Sequence, residues 1–183
     1  MSRLAAWFGG RDRSRAALRV LMVCSGNICR SPTAEAVLRQ RLQALGLEGR
    51  IEVDSAGTHG FHQKEPPDPR AQQHARRRGY DLSRLRARRI VGEDFTRFSH
   101  ILAMDGEHLA WLRDAAPPDA TARVQLLMAH ARRYRDRTEV PDPYYGSERD
   151  FEVVLDLVED ACAGLADALA QELTQVERAG GKA

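Results

Sequence analysis

Cys24 and Arg30 are two side chains whose types and separation suit nucleophilic attack on a bound phosphate, and Ser25, Gly26, Asn27, Ile28 and Cys29 lie between them. A guanidinium can grip two phosphoryl oxygens at once, which a lysine cannot reproduce. Its charge also matches the equatorial oxygens of a phosphoryl group transferring in line to sulfur. If the intervening loop is wedged between a strand end and a helix start, its backbone N–H groups can turn inward. The helix dipole then adds positive potential, and the loop becomes a cradle for a dianion. Gly26 permits close backbone approach, and Asn27 is one of the few non-glycine residue types that tolerates a left-handed conformation. A thiol in that field ionises readily, so Cys24 is expected as a thiolate at neutral pH. Ser31 is positioned to donate its hydroxyl to that sulfur and make it a better leaving group when water attacks the intermediate.

A displaced alkoxide or phenoxide leaves faster when protonated, so the reaction calls for a general acid that can later activate water. Asp142 is the candidate, in Val140-Pro141-Asp142-Pro143-Tyr144-Tyr145-Gly146. Two prolines stiffen the backbone around one carboxyl group, and Tyr144 and Tyr145 can wall a pocket or serve as phosphorylation sites; the wall is the expected role.

The elements that must position these groups follow from apolar spacing. Arg19 to Cys24 is a short apolar run with little alternation, as in a buried parallel strand. Ser31-Pro32 predicts an N-cap and a first-turn proline, with Ala34, Leu38, Leu42 and Leu45 at helical spacing until Gly46. Ile51 to Ser55, His100 to Met104 and Arg123 to Met128 read as further strands. Helices are predicted over Arg70 to Arg78, around Glu107 to Asp114, and along a stripe of Phe151, Leu155, Val158, Cys162, Leu165 and Leu169. His59 to Pro69 is a polar surface loop in which His59 and His62 are expected to be solvated. The alternation predicts an α/β fold: one three-layer domain, a parallel sheet with helices on both faces, and the phosphate-binding loop after the first strand.

With 183 residues the chain accommodates one domain. The expected boundaries are a flexible extension over 1–18, a catalytic domain over 19–174 and a tail over 175–183. Trp7 and Phe8 give the extension a short apolar patch without the pattern of a signal peptide. No apolar stretch approaches the roughly 20 residues of a membrane-spanning helix. Three cysteines without disulfide-framework spacing fit a reducing cytoplasm. The six histidines show no metal-site spacing, and no metal or cofactor is expected. Arginine runs such as Arg76-Arg77-Arg78 and Arg132 to Arg137 read as solvated helix faces, since no stacking aromatics or nucleic-acid-reading motif accompanies them.

Val23 to Pro32 resembles the signature loop of the low-molecular-weight protein tyrosine phosphatases, and further matches fall in the family's order. They are Asp54-Ser55-Ala56-Gly57-Thr58, Pro67-Asp68-Pro69-Arg70-Ala71, Arg86-Ala87-Arg88, Asp94-Phe95, Ile101 to Asp105 and Asp142 to Gly146. The resemblance spans about Arg19 to Leu169 and implies a four-stranded parallel sheet, a cytoplasmic enzyme without metal or cofactor, and activity on phosphotyrosine. It gives the roles above to Cys24, Arg30, Ser31 and Asp142, with Asn27 as the strained loop residue. In relatives the residue matching Cys29 can form a reversible disulfide with the nucleophile; a small buried loop filler is the equal alternative. The resemblance implies a tyrosine-phosphorylated protein as partner, with an autophosphorylating bacterial kinase as one candidate.

Departures from the family pattern are Phe61 on the rim where many relatives carry tryptophan or tyrosine, Leu85 where many have histidine, and His108 in place of asparagine. Arsenate reduction on the same loop would need a downstream cysteine pair, and only Cys162 follows Cys29. Protein arginine phosphatases tend to carry threonine where this chain has Ile28, so phosphotyrosine is the expected substrate. From another functional class, the chain could bind phosphorylated partners without turnover, or use Cys24 and Cys29 as a redox sensor.

Overall fold

The computed structural model describes residues 16–180. The expected extension over 1–18, with Trp7 and Phe8, lies outside the described residues up to position 15. Strand β1 (Leu18–Cys24) pairs in parallel with β2 (Ile51–Gly57) on one side and with β3 (His100–Ala103) on the other, and β4 (Arg123–Leu126) adds beyond β3. The strand order is therefore β2-β1-β3-β4. The connection direction reverses between β1 and β3, and ligands of such sheets bind beyond the carboxyl ends of the strands at that reversal. Cys24 is the last residue of β1.

Side chains alternate across the sheet with a period of two. Leu18, Val20, Met22 and Cys24 face a core shared with α1 (Arg30–Ala44) and α5 (Glu148–Gly180). Leu21 and Val23 face a second core with Phe95 and Phe98, at and just after α3 (Asp94–Arg97), and with Leu112 of α4 (Gly106–Ala115). Helix α2 (Pro69–Arg77) begins at Asp68, whose side chain caps it by accepting from Arg70 N.

Two expectations are corrected. Helix α1 starts at Arg30, one residue before the expected Ser31 cap; Cys29 holds the cap position and makes no side-chain capping bond. Ser31 is instead inside the first turn. The strand expected to reach Met128 ends at Leu126, because β3 offers partners only to Ala103, and the chain continues as a 3₁₀ turn over Leu127–His130. Helix α5 runs 33 residues, about 50 Å.

The 3₁₀ turn packs directly on α5 at Gly164, where an added Cβ would stand 2.0 Å from the His130 carbonyl oxygen and 3.1 Å from its carbon. Alanine is favoured over glycine inside a helix by about 1 kcal/mol. A backbone clash of this size outweighs that gain, since overpacking typically costs about 1–3 kcal/mol and occasionally more. Gly164→Ala is therefore expected to lower stability, read as a lower urea midpoint with an unchanged slope.

Candidate active site

The loop from Cys24 to Arg30 is anchored through its carbonyls. Thr58 N donates to Cys24 O at 2.9 Å, His59 N to Ser25 O at 3.0 Å, and Asp68 N to Ile28 O at 2.8 Å. In a planar trans peptide the N–H points opposite to the C=O. Anchoring these three oxygens outward therefore turns the N–H groups of Ser25, Gly26 and Cys29 to the inside of the loop. Close approach requires glycine at Gly57: a Cβ there would lie 2.6 Å from Ser25 O, 2.9 Å from His59 O and 3.1 Å from Asn27 N.

Asn27 adopts φ 56°, the left-handed region, and is 2% exposed. Its Oδ1 accepts from Arg88 N at 2.9 Å, and its Nδ2 donates at 2.9 Å to both Ser31 Oγ and Ser55 Oγ. With Asn27 donating to it, the Ser31 hydroxyl can direct its own hydrogen to Cys24 Sγ at 3.0 Å. The alternative acceptor, Ala56 O, is 3.3 Å away. Leu85, at the departure from the family pattern, packs against the main core, and the backbone of Arg88 satisfies Asn27 Oδ1.

Arg30 is 3% exposed and divides its fork between two carboxylates. Nη1 donates to Asp105 Oδ2 at 2.8 Å and Nη2 to Asp142 Oδ2 at 2.9 Å. Nη1 also reaches Val140 O at 3.3 Å. Val140 is itself tied to the sheet by Val140 N donating to Met104 O, so the proline-framed acid segment is fixed to the end of β3. Burial works against ionisation of Asp105. The His108 ring beside it, the backbone N–H of His108 and the Arg30 guanidinium nevertheless hold its carboxyl well below the usual carboxylate range. The Asp142 side chain is 50% exposed, and its Oδ1 accepts from Tyr144 N at 3.2 Å.

Cys24, Ser25, Gly26, Ile28, Cys29, Arg30 and Asp142 line one cavity of about 280 Å³. His59, Phe61, His62 and Tyr144 complete its wall. The two histidines thus line the cavity while remaining accessible from the loop, His59 exposed and His62 part-buried. His59 stacks on Phe61 with ring centroids 5.4 Å apart, and Phe61 is 82% exposed, as a rim residue should be. Tyr145 does not share the wall: it is 97% exposed and stands edge-on to Tyr144. Burial, followed by the charges of Asp68 and Cys24, pushes the Cys29 thiol far up. Burial likewise pushes up the thiol of Cys162, which lies in the core. Among the described residues no three His, Cys, Asp or Glu side chains are grouped to hold a metal ion.

Residue-by-residue reading of the sequence missed Asp105 as the second partner of Arg30. Its signal was faint: an aspartate at a strand end, just before a helix, reads first as an N-cap, and it fills that role as well. It also missed Glu35. This buried carboxyl accepts from Ser55 Oγ at 2.5 Å, pairs with Arg39 at 2.6 Å, and so extends the Cys24–Ser31–Asn27–Ser55 chain of hydrogen bonds inward. Burial raises Glu35 from the ordinary 4.5 to about 7, against the pull of Arg39 and Ser55. The folded state then holds a proton that the unfolded chain has released, so stability falls as pH rises from about 4.5 to about 7. Glu35→Gln is expected to flatten that decline, as read by urea unfolding across the same window.

A family model described as "Low molecular weight phosphotyrosine protein phosphatase" matches residues 19–175. A low molecular weight protein-tyrosine-phosphatase of Streptomyces coelicolor is 42% identical over 157 residues, covering 85% of this chain and 95% of that protein. The crystal structure of a protein tyrosine phosphatase from Entamoeba histolytica superposes with a TM-score of 0.81 at 37% identity, over 85% of this chain and 99% of that one. A Drosophila arginine phosphatase superposes with a TM-score of 0.77 at 30% identity, over 83% and 98%. With the four-stranded parallel sheet and the loop after β1, these matches lead to one conclusion: this chain belongs to the low molecular weight protein tyrosine phosphatase family and is a phosphatase acting on phosphoproteins.

Proposed function

We propose that the enzyme hydrolyses phosphotyrosine monoesters in proteins through a phosphocysteine intermediate. The observation that carries this reading is the sharing of one cavity by the Cys24 sulfur, the Arg30 fork and the Asp142 carboxyl, with Arg30 and Asp142 in contact at 2.9 Å. The Cys24 thiolate attacks phosphorus while Arg30 and the inward N–H groups of Ser25, Gly26 and Cys29 receive the equatorial oxygens. As the S–P bond forms, the bond from phosphorus to the tyrosyl oxygen breaks, and Asp142 in its acid form gives that oxygen a proton. The Asp142 carboxylate then takes a proton from water, whose oxygen attacks phosphorus. The S–P bond breaks, and orthophosphate and the thiolate are released. Ser31, 3.0 Å from the sulfur, stabilises the departing thiolate.

The side walls favour an aromatic leaving group. The stacked His59–Phe61 pair and Tyr144 present ring surfaces, and Ile28 contributes an apolar side chain. The physiological partner on this reading is a tyrosine-phosphorylated protein. An autophosphorylating kinase is one member of that class.

The assay compares phosphate release from a phosphotyrosine peptide and a phosphoarginine substrate, without added metal. Release from phosphotyrosine that Cys24→Ser abolishes is the expected result. Preferential release from phosphoarginine would transfer the chain to the arginine branch. No release from either, by folded protein with reduced thiols, would overturn the hydrolytic reading in favour of phospho-ligand binding or redox sensing. For the acid, Asp142→Asn is expected to lower kcat on phosphotyrosine by about 10²–10⁴-fold. The loss should be smaller on p-nitrophenyl phosphate, whose leaving group needs less protonation; equal losses on both would remove Asp142 from the acid role.

A further inference from the structure

Beneath the phosphate loop lies a second relay, formed by Ser25, His108 and Asp105. His108 sits in the first turn of α4 and is 5% exposed. Its Nε2 is 2.8 Å from Ser25 Oγ, and its Nδ1 is 2.8 Å from Asp105 Oδ1. Nδ1 has no hydrogen-bond partner of regular geometry, so its contact with Asp105 is chiefly electrostatic. It still fixes the tautomer, because two lone pairs cannot face each other at that distance: Nδ1 carries a hydrogen.

Nε2 then has two choices. In the neutral ring it accepts the Ser25 hydroxyl hydrogen. In the imidazolium it donates to Ser25 Oγ, which also lies 3.4 Å from Arg30 Nη2, and the serine hydrogen is released. Ser25 lines the cavity, so that hydrogen can turn to a phosphoryl oxygen. A dianion in the loop favours the second arrangement twice over, by gaining a donor and by gaining a positive charge nearby. The charged groups around His108 are Asp105 and, behind it, Arg30 with Asp142. Glu139 accepts from Gly106 N at the start of α4, and Glu107 belongs to the same helix.

We propose that His108 is a proton-linked positioning residue: a phosphate-like dianion in the Cys24–Arg30 loop is bound together with a proton on His108, which turns the Ser25 hydroxyl from His108 onto the anion. The inference rests on the phosphate-site reading above. It adds a hydroxyl donor to the loop's main-chain donors, and it makes phosphate affinity depend on a group that never touches the substrate.

The test uses the full chain carrying Cys24→Ser, which removes the titrating thiol, and inorganic sulfate, a dianion that does not titrate between about pH 6 and about pH 8. Calorimetry in buffers of different ionisation heat counts the protons taken up on binding. Uptake of a substantial fraction of a proton in the parent is expected, with sulfate affinity falling by up to about tenfold per pH unit where the linkage operates. Adding His108→Asn should abolish the uptake and flatten the pH profile. Ser25→Ala, which keeps the buried histidine and so guards against a folding defect, should reduce both. Zero uptake by the parent, or the same uptake with His108→Asn, overturns the proposal. Failure of the parent to bind sulfate overturns the proposal and the phosphate site together. Uptake that depends on His108, in a protein whose wild type does not hydrolyse phosphotyrosine, sustains the relay and removes only the substrate reading.

Discussion

The geometry of the site depends on Asn27 being held in a left-handed conformation. With φ at 56° the chain reverses within the loop, so that the N–H groups of Ser25 and Gly26 before it and of Cys29 after it can turn to the same side. An L-residue resists this region by roughly 1–2 kcal/mol. Three hydrogen bonds to the Asn27 amide, at roughly 1 kcal/mol net each, outweigh that cost. They come from three separate parts of the fold, namely α1, β2 and the segment before α3. The loop conformation is therefore enforced by tertiary structure. The same amide leaves the Ser31 hydroxyl hydrogen available to the Cys24 sulfur, so backbone shape and the sulfur's surroundings are set by one side chain.

Arg30 presents the complementary electrostatic problem. A guanidinium this deeply buried needs compensation, because an unpaired buried charge costs several kcal/mol. Asp105 supplies it from a carboxyl held firmly in its charged form by its surroundings. Asp142 is the looser partner, half in solvent and fixed mainly by the rigidity of its own segment. The division is chemically useful. The firmly charged counter-ion sits behind the arginine, whereas the half-exposed carboxyl stands where the cavity meets solvent, as the proposed acid role requires.

Much of this was visible in the residues alone, because the informative signals were local. An apolar run ending at Cys24, a Gly-Asn pair and an immediate helix specify strand, loop and phosphate cradle within a dozen positions. What the sequence hid was of two kinds. Boundaries shifted where the surroundings decide the end of an element: β4 stops where β3 stops, and Ser31 lies inside the first turn of a helix that begins at Arg30, its hydroxyl 3.0 Å from the Cys24 sulfur. The other kind is long-range pairing. Ser25 meets His108 across 83 positions and Arg30 meets Asp105 across 75, and no spacing rule links residues so far apart. Tyr144 and Tyr145 illustrate the same limit, since neighbours of identical type part company, one to the cavity and one to solvent.

The meeting of Gly57 with Ser25 O, His59 O and Asn27 N has a consequence for how such an enzyme can diversify. At that junction two stretches of main chain touch with no side chain between them. The turn of the loop beside Arg30 is consequently held by contacts between peptide groups, which mutation cannot remove. The walls above it, at His59, Phe61 and Tyr144, are side chains and open to replacement. Recognition of the phosphoryl group and choice of the group it is attached to are thus recorded in different parts of the polymer. Substitution at the rim can move the enzyme from one ester to another while the apparatus for cleaving it is inherited intact.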